Sequence, residues 1–548
     1  MNHQRRVLLV EDNAGTEGDI RRWLRDKYHV EVARNLEEAK TCLLNKHYHV
    51  AIVDISLVED DEWNKDGYRL MEWMTTQPIL EGLLCIVITA HHRGDLAING
   101  YGRLPIACWI VKRPSYRQEL TTKLTNTFCE SVRVNFELVY DGDSEERLWP
   151  MAGHVEWPEG ADKPNMPMLV DEIRDLIGKH FREASSVHLK ELTKGLSGAA
   201  VVRVRAMWDN DYGPSYVLKI SRRDKVQTEF HNYSTFVARH LPPNTAVNAQ
   251  VVYAGHLGAI QYNFAEDANK PLDEFDTFFQ RESAEQVKLA LQSLFRETCH
   301  FWYSSPKPKI TNLIALYYEA LNLNEDKLTS RIRRFVPELD PTAPRLYLPG
   351  ESTDLSNPLF WLRRNYEQCE VRVCFSINHG DLTGRNVFVN DQGHCWLIDF
   401  FRTGRSHMLR DHAILETDIK YRLLPELFQK MGRPEAYSQA EYERMELALR
   451  NGQLSNDEAL LPEVHKATAA VLTIRQLADE LMARHHHDDD NIKRQILISR
   501  LITTLNVTGM TCGHCEKAVE RAIKQLDPAA EVKADRTQNK VEIKSNQP

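Results

Sequence analysis

Three fold classes are expected to follow one another along this chain of 548 residues. They are a doubly wound parallel α/β sheet, a two-lobed α+β body and a small α+β module. Three observations predict them. Short β-branched runs alternate with helical stretches over residues 1–128, strand-rich sequence gives way to long helical periodicity over 168–501, and a strand, a loop with two thiols and a helix open residues 504–548. Length alone demands several cores, because a single hydrophobic core stops growing at about 250–300 residues. Residues 129–167 read as the linker; Val132, Val134, Phe136, Leu138 and Tyr140 alternate there as a strand, and residues 141–167 hold no sustained period.

Composition narrows the function classes. Apolar residues at 42% and charged residues at 27% are ordinary globular values. A net charge of −9 argues against a nucleic-acid-binding surface. No run approaches the roughly 20 apolar residues that span a bilayer, and the N-terminus enters a strand at once instead of a signal-peptide core. Most of the ten cysteines sit inside apolar runs such as Leu83-Leu84-Cys85-Ile86-Val87, which reads as a reducing compartment. A cytoplasmic protein with no membrane and no nucleic-acid partner is expected.

In the first segment, strands are expected at residues 6–10, 30–33, 50–53, 84–89 and 108–111, with a last helix over 116–128. Working residues of such sheets lie at the carboxyl ends of strands. Those ends carry Glu11 and Asp12, then Asp54, then Thr89, then Lys112. Three carboxylates together repel and call for a divalent cation, whereas a hydroxyl and an ammonium suit a phosphoryl group on Asp54. The segment resembles the receiver domain of two-component response regulators. The resemblance implies phosphorylation of Asp54 by a histidine kinase or phosphotransfer protein, with Mg²⁺ at the acidic pair. It also implies that Thr89 and Lys112 contact the phosphoryl oxygens and that Trp109 is the switch aromatic. Two departures stand out: Arg113 separates Lys112 from Pro114, and the loop after Asp54 is long and acidic before Gly67.

The body is marked by His379-Gly380-Asp381-Leu382-Thr383-Gly384-Arg385-Asn386, followed by a strand ending in Ile398-Asp399-Phe400. Phosphoryl transfer needs a carboxylate to take the acceptor's proton (Asp381), and an amide and a second carboxylate to hold Mg²⁺ against nucleotide phosphates (Asn386, Asp399). The segment resembles the catalytic core of aminoglycoside phosphotransferases and choline kinases. That likeness implies a kinase-like fold using ATP and Mg²⁺. Upstream, two strands flank Lys194-Gly195-Leu196-Ser197-Gly198-Ala199, a small-residue turn whose N–H groups can approach phosphates. Gly195, Ser197 and Gly198 are its nucleotide-binding candidates. Lys219 stands where the family keeps its phosphate-binding lysine, and Glu229 matches the helix glutamate that pairs with it. Residues 261–266 are the expected inter-lobe hinge, Ser283 opens a capping box with Gln286, and Asp411 is expected to brace the loop. Phe401 departs from the glycine of protein kinases.

The last segment carries Met510-Thr511-Cys512-Gly513-His514-Cys515 between a strand and a helix. Thiols at a helix N-terminus favour thiolate, and two of them suit a soft ion such as Cu(I). This resembles the heavy-metal-associated domain of copper chaperones, which implies a ferredoxin-like module with the metal at Cys512 and Cys515. Only part of that module precedes Pro548. Zn²⁺ or Hg²⁺ at the same thiols, and a redox role for the pair, remain alternatives. The histidines at 485–487 point different ways on a helix and read as a solvated loop.

The sequence thus predicts a signalling protein in which a receiver regulates an ATP-dependent phosphotransferase beside a soft-metal module. The phosphoryl acceptor, a small molecule or a protein, is not specified by it. The alternative is a non-catalytic, nucleotide-binding pseudokinase scaffold that relays receiver state to a protein partner.

Overall fold

The computed structural model describes residues 3–58, 64–90, 103–191, 198–209, 211–240, 247–264, 272–333, 336, 338–347, 354–433, 439–453, 460–485, 489–506, 531–535 and 540–544. They belong to two compact units, Met1–Phe230 with Asn248–Asn263, and His231–Val247 with Phe264–Pro548.

The first unit opens with β1 (Arg6–Val10), α1 (Ala14–Leu24), β2 (His29–Ala33), α2 (Leu36–Asn45), β3 (Val50–Asp54), α3 (Asp66–Thr75), β4 (Leu84–Thr89), β5 (Ile106–Val111) and α4 (Tyr116–Thr127). The strands form one parallel, receiver-like sheet in the order β2-β1-β3-β4-β5. Alternation explains its two-sided burial. Val7, Leu9, Val50, Ile52, Ile86 and Ile88 face Ile20, Leu24, Leu120 and Leu124. Leu8, Val10, Ala51, Val53, Cys85 and Val87 face Ala39, Leu43, Leu70 and Met71. A sheet buried on both faces needs continuous apolar runs, which these strands have. Asparagines cap the first two helices: Asn13 accepts the Thr16 N–H and Asn35 the Glu38 N–H, each at 2.9 Å.

After α4 the chain departs from the expected strand over residues 132–140. A π-turn at Phe128–Val132 ends in left-handed Arg133 (φ 56°). Asn135 then donates its side-chain amide to the carbonyls of Phe181 and Ala184, and its backbone N–H to Gly178 O. These bonds hold the segment away from strand pairing, so only β6 (Val139–Tyr140) forms, parallel to β7 (Ser186–Glu191). Between them lie α5 (Leu148–His154), inside a stretch without sequence period, and α6 (Met166–His180). Leu148, Met151 and Ala152 of α5 join the same core as α6, which is why so short a helix persists. The side-chain oxygen of Asn165 caps α6 by accepting the Met168 N–H at 3.0 Å.

The unit is completed by β8 (Ala200–Trp208), β9 (Asp211–Arg222), α7 (Arg223–Asn232), β10 (Val247–Ala254) and β11 (Leu257–Phe264). Their sheet runs β10-β11-β9-β8-β7-β6, antiparallel across β7, β8, β9 and β11.

The second unit contains β12 (Asp273–Glu274), α8 (Phe275–Arg281), α9 (Ala284–Ser293), α10 (His300–Tyr303), β13 (Lys307–Asn312), α11 (Leu313–Ala320) and α12 (Glu325–Arg333). Next come β14 (Arg345–Tyr347), β15 (Asp354–Ser356), α13 (Pro358–Asn365), β16 (Glu370–Asn378), β17 (Val387–Val389), β18 (Cys395–Leu397) and β19 (Gly404–His407). Then follow α14 (Arg410–Asp418), α15 (Leu424–Lys430), α16 (Gln439–Asn451), α17 (Pro462–Ala483), α18 (Asp489–Leu505), β20 (Glu531–Asp535) and β21 (Lys540–Lys544). Ser283 caps α9 through the Gln286 N–H at 3.3 Å. Two small sheets, β13-β16-β19 and β12-β17-β18, flank the loop of residues 379–386. A core of Leu313, Ile314, Tyr317, Leu328, Leu359, Val373, Ile498 and Leu501 ties α11, α12, α13 and α18 to β16. Among the described residues, no helix is long and apolar enough to cross a membrane.

Candidate functional site

Three groups of predicted residues take shape. At the carboxyl end of the parallel sheet, ligand atoms of Glu11, Asp12 and Asp54 all lie within 4.8 Å of one another. Lys112 Nζ donates to Asp54 Oδ2 at 2.6 Å and to Glu11 Oε2 at 2.8 Å. Burial pushes the Glu11 carboxyl up to about 7, against the opposing pull of Lys112. The Asp54 carboxyl is also raised by burial. An oxygen-only donor set whose members resist ionising together fits a hard divalent cation. Thr89 ends β4 beside this cluster, and its carbonyl accepts the Lys112 N–H at 2.7 Å. Trp109 lies on β5 and packs, partly buried, against the core under α2 and α3. Gly67 is a steric necessity, since a Cβ there would meet the Asp54 carbonyl oxygen at 1.9 Å.

In the antiparallel sheet of the same unit, Lys219 on β9 donates to Glu229 Oε2 on α7 at 2.8 Å. Both are almost fully buried, at 3% and 2% exposure. The Tyr262 hydroxyl on β11 donates to the other Glu229 oxygen. A buried ion pair needs its remaining lone pairs satisfied, and Tyr262 does this. Sequence reading put Tyr262 in the hinge stretch and missed its bond to Glu229, because the two lie 33 residues apart. Gly198 takes φ +64°, where a Cβ would collide with Glu156. Gly195, Ser197 and the hinge residue Glu266 lie outside the described residues.

The second unit holds Asp381, Asn386 and Asp399. Residues 379–386 have little regular structure, and one buried helix braces them at two points. Asp411, with 0% exposure, accepts the His379 N–H at 2.8 Å, the Gly380 N–H at 2.9 Å and the Tyr303 hydroxyl at 2.9 Å. Asp418, seven residues on and therefore on the same face of α14, accepts the Gly384 N–H at 2.8 Å. Arg422 holds Asp418 and, through both terminal nitrogens, Asp276. Arg410 donates to Gly380 O at 2.7 Å.

Glycine is required at both braced positions. Gly380 takes φ +84° with a Cβ site 2.2 Å from Arg402 O, and a Cβ at Gly384 would meet Asp276 at 2.3 Å. Between them, Asp381 has its carboxyl raised by burial, lowered by Arg402 and raised again by Asp399. Asn386 donates its amide to Asp381 O at 2.7 Å. Asp399 follows β18 in the left-handed region (φ +68°), strain that a regular strand end would not carry. Asp418, Arg422 and Asp276 escaped the sequence reading. The one available signal was the i,i+4 spacing of Asp418 and Arg422, which any surface helix also shows.

Cys512 and Cys515 lie outside the described residues, as do His486 and His487. Of that part, β20 and β21 pair antiparallel.

Asp411→Ala would leave three donors buried without an acceptor, and should cost about 3 kcal/mol or more. The expected result is a clearly lowered thermal transition of the full chain, with Asp411→Asn less damaging because its amide keeps one acceptor oxygen. A melting profile unchanged by Asp411→Ala would mean that the loop is held by other contacts.

Similarity to known proteins covers parts of the chain. A search of the curated proteins matches none. Among solved structures, a CheY-like response regulator receiver domain protein from Methanospirillum hungatei is similar, at 21% identity over 23% of this chain and 96% of its own, with a TM-score of 0.21. The response regulator TrrA from Thermotoga maritima, in complex with Mg(2+)-BeF, is similar at 22% identity over 22% of this chain and 97% of its own, TM-score 0.19. A putative response regulator from Chloroflexus aurantiacus is similar at 23% identity over 23% and 99%, TM-score 0.20. A family described as heavy-metal-associated domain matches residues 504–548. A second family, described as ternary complex associated domain 9, matches residues 184–321 and 328–502. Those two stretches make up more than half of the molecule, and the chain belongs to the ternary complex associated domain 9 family.

Proposed function

We propose that this protein is a two-component signalling protein in which Asp54 receives a phosphoryl group and the body transfers phosphoryl groups from ATP. A histidine kinase or phosphotransfer protein is the donor to Asp54, and a soft metal ion is held at Cys512 and Cys515. One observation carries the central part of this reading. The buried Lys219–Glu229 pair lies on a strand and the helix after it, within the order β7, β8, β9, α7, β10, β11. Far downstream, the braced loop presents Asp381 and Asn386 ahead of Asp399. Lysine, glutamate, aspartate, asparagine and aspartate thus follow in the order phosphoryl transfer from a Mg²⁺-nucleotide uses them.

In this reading Asp381 is the base, and its raised carboxyl lies closer to neutrality, where a base works best. Asn386, oriented by its bond to Asp381 O, offers its amide oxygen to Mg²⁺. Asp399 supplies the charged ligand. Lys219, fixed by Glu229 and Tyr262, meets the phosphates. At the parallel sheet, Mg²⁺ at Glu11, Asp12 and Asp54 would offset the charge of an incoming phosphoryl group, which Lys112 is placed to contact.

Asp381→Asn should abolish ADP release by the full chain and leave nucleotide affinity nearly intact. Asp399→Asn should weaken Mg²⁺-nucleotide binding, and Lys219→Ala should cost both. Loss of catalysis should reach about 10²-fold or more for the base. Wild-type protein that binds ATP yet never releases ADP with any of a broad set of acceptors would turn the body into a nucleotide-binding scaffold.

A small phosphodonor with Mg²⁺ should add one acid-labile phosphoryl group that Asp54→Asn removes. Labelling that survives this substitution would end the Asp54 assignment.

Cys512 and Cys515 should take up about one Cu(I) per chain in competition with a chromogenic chelator, because a dithiolate prefers soft cations. The paired serine substitutions should abolish uptake. Uptake that is instead lost on alanine substitution of residues 485–487 would relocate the site.

A further inference from the structure

Three imidazoles converge on one carboxylate in a place that none of the functions above uses. His3 Nε2 lies 2.7 Å from Asp175 Oδ1 and His49 Nε2 lies 3.1 Å from the same oxygen. His47 Nε2 lies 2.7 Å from Oδ2. Asp175 is 1% exposed and His49 6%. The histidines belong to the receiver-like domain, one ahead of β1 and two just ahead of β3, whereas Asp175 sits on α6.

The donor set resembles a zinc site, and ligand atoms of His3, His49 and Asp175 lie within 4.8 Å of one another. One contact argues otherwise. His49 Nδ1 accepts the Arg6 N–H at 3.0 Å, so the proton of the neutral ring sits on Nε2 and points at Asp175. Coordination through Nε2 would move that proton to Nδ1 and set two donors face to face. The cluster is therefore built to hold protons.

Charge counting sets how many, since one carboxylate balances one imidazolium in a buried site. The surrounding charges are already committed. Arg6 pairs with Asp171 at 2.6 Å, Arg174 pairs with Asp171 and Glu145, and Lys179 donates to Tyr253 O. Glu172 accepts the His256 and Leu257 N–H groups and binds the His256 ring. Arg5 lies over Phe136 and pairs with Glu137, and Tyr140 is a neutral phenol held high by burial.

We propose that His3, His47, His49 and Asp175 form a proton-gated clasp that fastens the receiver-like domain to α6, closed when the cluster carries a single extra proton. His47 and His49 differ as such a clasp needs. Burial opposes a proton on His47, but Asp175 outweighs it and raises the value; on His49 burial wins and lowers it. The clasp therefore loosens as pH rises through the raised His47 value, where the carboxylate loses the His47 imidazolium. It also loosens as pH falls below the ordinary histidine range, where a second imidazole takes a proton more readily free than docked. The Asp175 carboxyl is held well below the usual range by His49 and His47, which outweigh its burial, so its own protonation matters only in strong acid. Because Glu172 ties α6 to the turn between β10 and β11, the clasp links the receiver-like domain to the sheet that carries Lys219.

Hydrogen–deuterium exchange of the full chain between about pH 5 and about pH 9 tests this. After correction for intrinsic rates, peptides covering residues 3–10, 47–54 and 166–180 should exchange slowest near neutrality. Exchange should quicken on both sides, approaching about tenfold per pH unit for one linked proton. His47→Gln should remove the alkaline limb, and Asp175→Asn should speed exchange at every pH. If Asp175→Asn fails to fold, His47→Gln decides alone, and a profile matching wild type overturns the clasp. A Cys512→Ser/Cys515→Ser chain should carry no stoichiometric zinc. Zinc that it retains and that Asp175→Asn loses would overturn the proposal in favour of a metal site.

Discussion

Asp411 and Asp418 stand two helical turns apart on α14, and the loop of residues 379–386 hangs from them. A carboxylate removed from water loses several kcal/mol of hydration, of order the stability of a whole domain, unless donors replace it. The donors here are backbone N–H groups of His379, Gly380 and Gly384, so the helix satisfies its acids by dictating the path of the loop. Regular hydrogen bonding could not hold that path, because it has almost no secondary structure. Arg422 and Asp276 extend the same demand into a second layer of charge.

The same accounting recurs in the first unit. Glu229 meets Lys219 with one oxygen and Tyr262 with the other. Glu172 gathers two backbone N–H groups and a ring nitrogen. Asp175 gathers three imidazoles. Each of these acids joins segments distant in sequence and restricts them to one arrangement, which apolar contact alone enforces less sharply. The cost is sensitivity to proton activity, because the contacts depend on charge.

Close approach is the complementary constraint. Gly67, Gly380 and Gly384 each stand where a Cβ would enter a carbonyl or carboxylate oxygen. In all three the neighbour belongs to a candidate site or its support. Compactness around a buried carboxylate is thus secured partly by side chains that are missing.

The parallel sheet was largely legible in the sequence, because five apolar runs at regular spacing admit few alternatives, and strand ends locate Glu11, Asp12, Asp54, Thr89 and Lys112 directly. The loop around Asp381 and the strand before Asp399 were legible for a similar reason, since their residues lie close together in the chain. Tertiary structure decided what depends on distant partners. Residues 132–140 alternate like a strand, yet Asn135 finds carbonyls near residues 178–184 and holds most of the segment out of the sheet. Residues 148–154 show no period, yet a core shared with α6, β7, β8, β9, β10 and β11 makes a helix of them. Tyr262 and the three histidines on Asp175 carry no local signature, because a buried hydrogen bond across dozens of residues leaves no spacing in the chain. Sequence pattern determined the strands of the parallel sheet and the loop around Asp381, through periodicities and spacings set by local geometry. Which charges would meet was decided only when the fold removed them from water.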